Sequence, residues 1–177
     1  MLYESNKYLN SKMEKALSFA TEKHKLQKRK FNGEPYVNHC IRVSNTVKEF
    51  SNQDELMVAA ILHDTLEDTD TTYDELQREF GEQIAKIVLS LSNDKEELAR
   101  LGKTQYLAEK INTLTSEELL IKLADRLDNL TDLRGDAWSK QYAEQTKYVF
   151  IEKLDKKNLG QVHLVLLDKI QQRIQNY

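Results

Sequence analysis

The chain has 177 residues, of which only 5 are glycine and 1 is proline, too few turn-forming residues for a fold of many strands. Its net charge is −3, so the composition gives no indication of general duplex or membrane-surface binding. The single cysteine, Cys40, excludes an internal disulfide and is typical of a reducing cytosol. Because no signal-like segment or membrane-length apolar run is evident, we expect a cytoplasmic, all-α protein with one domain over residues 1–177.

The first predicted helix covers about residues 11–27, where apolar side chains recur at helical spacing. Its basic end continues into Arg29 and Lys30. The simplest interpretation of these cations is that they lie on a solvated surface and complement the dipole at the C-terminus of the helix. A loop follows, and a second helix begins near Pro35. This helix places His39 on an apolar stripe, where a lone histidine is more often a hydrogen-bonded core residue than a ligand.

A third predicted helix, about residues 54–66, ends in a motif of one histidine and three carboxylates: His63, Asp64, Glu67 and Asp68. Residues four apart lie on one face of a helix, so we predict that His63 lies beside Glu67 and Asp64 beside Asp68. The apolar residues before the motif anchor it in the core, where a carboxylate is costly unless it is paired or metal-bound. The pattern indicates a divalent cation site, with an exposed and solvated helix end as the alternative.

Two capping-box pairs predict helix starts further along the chain: Thr72 with Glu75, and Thr115 with Glu118. The polar residues 92–103 lie between them and are predicted to form a loop or a broken helix. Two more helices are predicted beyond residue 138, with a break near residues 158–160. The whole pattern is therefore helical.

The helix after Thr115 is predicted to extend to about Leu133 and to carry two short polar side chains in a largely apolar segment. Asp125 and Asn129 lie four residues apart on this helix. Short polar residues disfavour helix interiors, so their placement indicates a functional role. The alternative is a solvated stripe, which Lys122 also supports.

Three motifs now follow one another in the chain: RKFNGEPYVNH from Arg29, HDTLED from His63 and KLADRLDNL from Lys122. In this order they resemble the HD-domain hydrolases of the RelA/SpoT alarmone family, in their small single-domain form. The resemblance covers about residues 10–150 and implies a helical bundle of about eight to ten helices with one bound Mn²⁺. The implied activity removes the 3′-pyrophosphate from guanosine tetra- or pentaphosphate and leaves GDP or GTP.

Matched residue by residue, the resemblance also implies roles for individual side chains. The implied metal ligands are His39, His63, Asp64 and Asp125. The implied catalytic carboxylates, which orient or deprotonate the attacking water, are Glu67 and Asp68. The implied nucleotide contacts are Arg29, Lys30, Lys95, Lys103 and Asn129. Small members of the family carry a phosphate-holding arginine after Trp138, and here Tyr142 stands near that position.

Other functions stay open from the sequence. The same metal site could act on another 3′-phosphorylated nucleotide, such as an adenosine alarmone or NADPH. A non-catalytic nucleotide sensor is a further alternative, which the intact pair of Glu67 and Asp68 argues against. Nucleic-acid binding is disfavoured, because the basic run is short and the net charge is −3. The ligand types alone also allow iron or zinc, and the sequence leaves the oligomeric state open.

Overall fold

The computed structural model describes residues 2–157 and 159–177, and their side chains from residue 11 onward. Within this part of the chain the regular structure is helical, apart from one isolated bridge between Lys28 and Pro35, so the predicted all-α class is confirmed. None of the described helices combines the length and apolar character that a membrane crossing needs. The helices fall into two compact units, Met1–Ser92 and Asn93–Tyr177. One domain over residues 1–177 stays a prediction.

Over its described residues, the first unit contains six α-helices, which we number in chain order. They are α1 (Leu2–Lys23), α2 (Val37–Phe50), α3 (Asp54–Leu62), α4 (Thr65–Asp68), α5 (Tyr73–Phe80) and α6 (Glu82–Leu91). Helix α3 forms the centre of this unit, since residues Leu56–Leu62 are all buried and α1, α2 and α6 pack against it. A helix that is apolar all round is stable only when its neighbours cover every side, which explains this position.

The predicted helix over residues 54–66 is wrong at its end, because α3 stops at Leu62 and a turn precedes α4. In that turn, Asp64 has φ −98° and ψ −3°, outside regular helical values. The Thr65 hydroxyl donates to the Leu62 carbonyl at 2.7 Å, and this bond competes with the helical pairing of that carbonyl. The polar motif that begins at His63 therefore spans a turn and a short helix instead of one continuous helix.

Both predicted helix starts are confirmed, one with a complete capping box and the other with its N-cap bond. The Thr72 side chain accepts a hydrogen bond from the backbone N–H of Glu75 at the start of α5. Thr115 and Glu118 form a reciprocal capping box, in which each side chain accepts from the backbone N–H of the other residue. These bonds satisfy backbone donors that the first turn of a helix leaves without partners.

Over residues 93–157 and 159–177, the second unit contains five α-helices, one 3₁₀ turn and one π-helical segment. They are α7 (Lys95–Leu101), α8 (Lys103–Lys110), α9 (Ser116–Asn129), the 3₁₀ turn (Leu130–Asp132), α10 (Ala137–Thr146), the π-helical segment (Lys147–Lys153) and α11 (Gln161–Ile174). Helix α9 packs on α11, and the π-helical segment packs on α8 and α10. Helix α9 is thereby held firmly in the core of its unit.

The predicted loop or broken helix over residues 92–103 is a broken helix. Gly102, at φ +76°, separates α7 from α8, and glycine adopts this backbone conformation without the steric penalty of a side chain.

Helix α1 ends at Lys23, before the predicted end at Gln27. Asn158, which belongs to the break predicted near residues 158–160, lies outside the described residues.

Candidate metal centre

Two buried histidines of the first unit lie side by side. His39 comes from α2 and His63 from the turn after α3, and their ring centroids are 5.2 Å apart at an interplanar angle of 62°. The two residues are 0% and 3% exposed. The packing of α2 against α3 brings the rings together, so two predicted metal ligands share one place in the core.

The carboxylate of Asp64 completes this cluster. Its Oδ2 atom lies 3.1 Å from His63 Nε2 and 3.6 Å from His39 Nε2. His63 Nδ1 lies 2.8 Å from the carbonyl oxygen of Ala60, and because a carbonyl can only accept, Nδ1 donates and Nε2 keeps its lone pair. Two imidazole nitrogens and a carboxylate oxygen at this spacing suit a first-row divalent cation. The first unit thus brings together three of the four predicted ligands.

Tyr36, which the sequence analysis did not select, contacts this cluster. Its hydroxyl donates to Asp64 Oδ2 at 2.7 Å. Its ring packs against His39, with centroids 5.5 Å apart, and against His24, with centroids 5.0 Å apart. The signal was present in the sequence, because residues three apart on a helix share a face and Tyr36 precedes His39 by that spacing. The hydroxyl fixes the orientation of one carboxylate oxygen.

Cys40 is a second residue that the sequence analysis missed as part of the site. Its thiol is fully buried on α2, directly after His39. Cys40 Sγ, a ring nitrogen of His63 and a carboxylate oxygen of Asp64 all lie within 4.8 Å of one another. Sequence spacing could not reveal this contact, because adjacent helix positions point in different directions and only the packing of α2 on α3 decides which one faces His63.

The predicted catalytic carboxylates lie on α4, directly after the cluster. The backbone N–H of Asp68 donates to the carbonyl of Asp64 at 2.9 Å, so one turn separates the two residues. Although Asp68 is exposed, partial burial of its carboxyl, followed by the charges of Asp64 and Glu67, raises its pKa to about 6. The nearby Tyr36 hydroxyl opposes this rise in pKa. Glu67 is half-buried.

The two predicted nucleotide contacts of the first unit differ in their surroundings. Arg29 is buried, its guanidinium lies 5.8 Å from the centre of the Tyr36 ring, and its backbone N–H donates to the carbonyl of Glu34 at 2.9 Å. Lys30 is exposed, and its ammonium lies 5.5 Å from the centre of the Phe31 ring. Through Tyr36, Arg29 is therefore tied to the histidine cluster, whereas Lys30 lies at the surface.

In the second unit, α9 carries the fourth predicted ligand, Asp125, which is buried. Its Oδ1 atom accepts a hydrogen bond of 2.5 Å from Asn129 Nδ2, and its Oδ2 atom lies 3.1 Å from Lys122 Nζ. Asp125 lies one helical turn from each of the other two residues, and all three share one face of α9. Lys122 therefore forms an ion pair with a buried carboxylate, which disfavours the alternative of a solvated stripe.

Lys103 begins α8 and lines a groove of about 500 Å³ in the second unit. Trp138 and Tyr142 also line this groove, and their rings stack with centroids 5.0 Å apart at 16°. The buried guanidinium of Arg126 lies 4.6 Å from the centre of the Tyr142 ring. Lys95 begins α7 and is exposed. The groove offers a cation and stacked rings to a planar, anionic molecule.

Residues 16–153 match the family model of the HD domain, and the chain belongs to the HD-domain family. A relative from Aquifex aeolicus, guanosine-3′,5′-bis(diphosphate) 3′-pyrophosphohydrolase, is 43% identical over 130 residues, which are 68% of this chain and 18% of that protein. The human protein of that name, MESH1, is 38% identical over 136 residues, which are 73% of this chain and 75% of the relative.

A solved structure of a metazoan orthologue of SpoT, described as hydrolysing ppGpp, is similar to this chain with a TM-score of 0.78 and 30% identity. The match covers 92% of this chain and 94% of the other. Together with the family match, these relatives confirm the predicted resemblance to the small single-domain alarmone hydrolases.

Proposed function

We propose that this chain is a guanosine-3′,5′-bis(diphosphate) 3′-pyrophosphohydrolase, which degrades guanosine tetra- and pentaphosphate to GDP or GTP and pyrophosphate. The observation that carries this proposal is the convergence of His39, His63 and Asp64 in one cluster, in which both histidines are buried. Membership of the HD-domain family and relatives that are hydrolases of this substrate by name support it. A small nucleotide, and not a nucleic acid, is therefore the expected ligand.

The proposed metal ligands are His39, His63, Asp64 and Asp125, and the proposed ion is Mn²⁺. The cluster of His39, His63 and Asp64 fits such an ion, because imidazole nitrogens and carboxylate oxygens are its usual donors. The resemblance supports Asp125 as the fourth ligand, and four protein ligands leave room on a six-coordinate ion. When bound, the ion lowers the pKa of a water molecule and polarises a phosphoryl oxygen. The resemblance also supports manganese over iron and zinc.

Glu67 and Asp68 are the proposed catalytic residues. Both lie on α4, within one turn of Asp64, and this position supports the assignment. Water adds to the phosphorus next to the 3′ oxygen, and one carboxylate accepts a proton from that water. The bond between this phosphorus and the 3′ oxygen breaks, and the 3′ oxygen takes up the proton that the carboxylate accepted and leaves as a hydroxyl. Such general-base assistance is worth about 10²–10⁴-fold in rate.

The proposed substrate contacts are Arg29, Lys30, Lys95, Lys103 and Asn129. A substrate with several phosphates needs several cations, which act together to attract an anion even though the net charge of the chain is −3. An arginine can stack on a base and pair with a phosphate at the same time, which a lysine cannot do. Lys103 contributes its charge to the groove of the second unit.

One experiment separates this proposal from its alternatives. Purified protein with Mn²⁺ is incubated with guanosine tetraphosphate, guanosine pentaphosphate, adenosine counterparts and NADPH, and the products are identified by mass spectrometry. We expect pyrophosphate together with GDP or GTP. Cleavage of only the adenine nucleotides would show that the proposed substrate is wrong, while the proposed metal chemistry would stand. Tight binding of the guanosine nucleotides with no product would make the protein a sensor.

We also propose that the protein is located in the cytoplasm, as the single cysteine predicts. Fractionation of cells that express the chain tests this location. Recovery in a membrane or secreted fraction would contradict it.

A further inference from the structure

The thiol of Cys40 lies close to two members of the histidine cluster, His63 and Asp64. Cys40 Sγ, a ring nitrogen of His63 and a carboxylate oxygen of Asp64 lie within 4.8 Å of one another. Cys40 is 0% exposed and is the only cysteine of the chain. The buried thiol therefore lies near an imidazole and a carboxylate, two groups that bind metals readily.

These separations are close to those of donors around one ion. With metal–ligand distances of roughly 2.0–2.3 Å, two donors of the same ion lie at most about 4.6 Å apart. A shift of a few tenths of an ångström in the Cys40 or Asp64 side chain therefore suffices to bring the three donor atoms within reach of one ion. Thiolate ligands favour soft or borderline ions such as zinc and cadmium, whereas carboxylate and imidazole ligands without sulfur suit manganese.

We propose that the centre contains two overlapping donor sets, one formed by His39, His63 and Asp64 and the other by Cys40, His63 and Asp64, and that the second set binds a thiophilic divalent ion such as Zn²⁺. This inference rests on the proposed function in one respect: the first donor set is taken to be the manganese site of the hydrolase. Because both sets use His63 and Asp64, a thiophilic ion and manganese compete for the protein. Binding to the second set replaces the thiol proton of Cys40 with a metal–sulfur bond and releases that proton to water, with no oxidation.

The competition gives the enzyme a chemical means of regulation. A thiophilic ion held by Cys40 takes two of the proposed manganese ligands and leaves His39 without its shared partners. We therefore expect zinc to suppress manganese-dependent hydrolysis at concentrations at which it occupies this set. The ratio of available zinc to manganese, and not manganese alone, then determines how much of the protein is active.

The test uses cadmium, because a cadmium–thiolate bond has a charge-transfer band in the ultraviolet. The metal-free full chain is titrated with Cd²⁺, and the band reports on Cys40 alone because the chain has no other cysteine. We expect a band that saturates at one cadmium per chain, that excess Mn²⁺ removes competitively and that Cys40→Ser abolishes. Asp64→Asn should weaken the cadmium affinity by about tenfold or more, since it removes the shared carboxylate.

Two results would overturn the inference: no charge-transfer band in the wild-type protein, or a band that neither excess Mn²⁺ nor Asp64→Asn affects. Circular dichroism of the metal-free variants verifies that they fold, and Cys40→Ala provides a second variant if Cys40→Ser does not. The titration needs no nucleotide, so its failure is separate from failure of the proposed hydrolysis. Conversely, a chain that binds cadmium as expected but cleaves no nucleotide would retain this site and lose the proposed activity.

Discussion

The hydroxyl of Tyr36 donates a 2.7 Å hydrogen bond to Oδ2 of Asp64, the same oxygen that faces the two histidines. The rings of His24 and His39 pack against the Tyr36 ring and hold the hydroxyl in place. A hydrogen bond from outside the ligand set fixes the orientation of a metal-binding carboxylate before the ion arrives. Tyr36 therefore positions a ligand.

Replacing Tyr36 with phenylalanine removes only the hydroxyl and keeps the packing of the ring. We expect Tyr36→Phe to lower the Mn²⁺ affinity by about 10–100-fold, the usual effect of losing a group that orients a ligand. Isothermal titration of the metal-free protein measures the change. Tyr106→Phe is a matched control, since the Tyr106 hydroxyl accepts a 2.7 Å bond from the backbone N–H of Asp94 and touches no predicted ligand. Equal losses in both variants would contradict the role of Tyr36.

Part of the site could be predicted because the types of residue in the three motifs, and the order of those motifs, resemble a family whose site residues are known. His39, His63 and Asp64 were selected from the sequence, and the structure brings these three together. The continuous helix through the motif was wrong, because the Thr65 hydroxyl competes for the Leu62 carbonyl and ends α3. Helical periodicity does not include such local side-chain bonds, so it could not place this turn.

Cys40 illustrates a second limit of the sequence. It directly follows His39, but a single cysteine does not by itself indicate a metal centre. Its position within 4.8 Å of donor atoms of His63 and Asp64 depends on how α2 packs against the turn after α3. Packing of this kind arises from side-chain volumes across two helices, and a periodic pattern within one helix does not contain it.

Glu67→Gln tests the proposed general base with almost no change in volume. We expect kcat to fall by about 10²–10⁴-fold, because the amide cannot accept the proton of the attacking water. The Mn²⁺ content should stay unchanged, since Glu67 is not a proposed ligand, whereas His63→Ala should lose the metal. Steady-state kinetics and metal analysis measure the two quantities. Glu82→Gln, an exposed glutamate that pairs with Lys86, is the control. A wild-type rate in Glu67→Gln would refute the role.

Asp125→Asn tests the fourth proposed ligand. We expect the Mn²⁺ affinity to fall by about 100-fold or more. Loss of a residue that only orients a ligand typically costs about 10–100-fold, and loss of a ligand should cost at least as much. Asp168→Asn is a matched control in the same unit, because Asp168 accepts a hydrogen bond from Gln172, as Asp125 does from Asn129. Calorimetric titration of both variants decides the matter. An unchanged manganese affinity in Asp125→Asn would remove this residue from the ligand set.

Lys95→Gln and Lys103→Gln test the proposed phosphate contacts. We expect each change to raise KM by about tenfold and to lower kcat less, because one charge-assisted contact with a phosphate is lost while the reacting groups stay in place. Lys86→Gln removes another exposed lysine, which is paired with Glu82, and should leave KM unchanged. Initial rates over a range of guanosine tetraphosphate concentrations give both constants. If neither constant changes, the two lysines do not bind substrate.

The most direct test of the account is the dependence of pyrophosphate release on manganese. Metal-free protein is mixed with guanosine tetraphosphate, Mn²⁺ is added stepwise, and released pyrophosphate and GDP are quantified. The proposed centre predicts no release before manganese, a maximal rate once one ion is bound per chain, and no release from His63→Ala at any manganese concentration tested. Release by the metal-free protein in the presence of a chelator, or by His63→Ala at the wild-type rate, would contradict it.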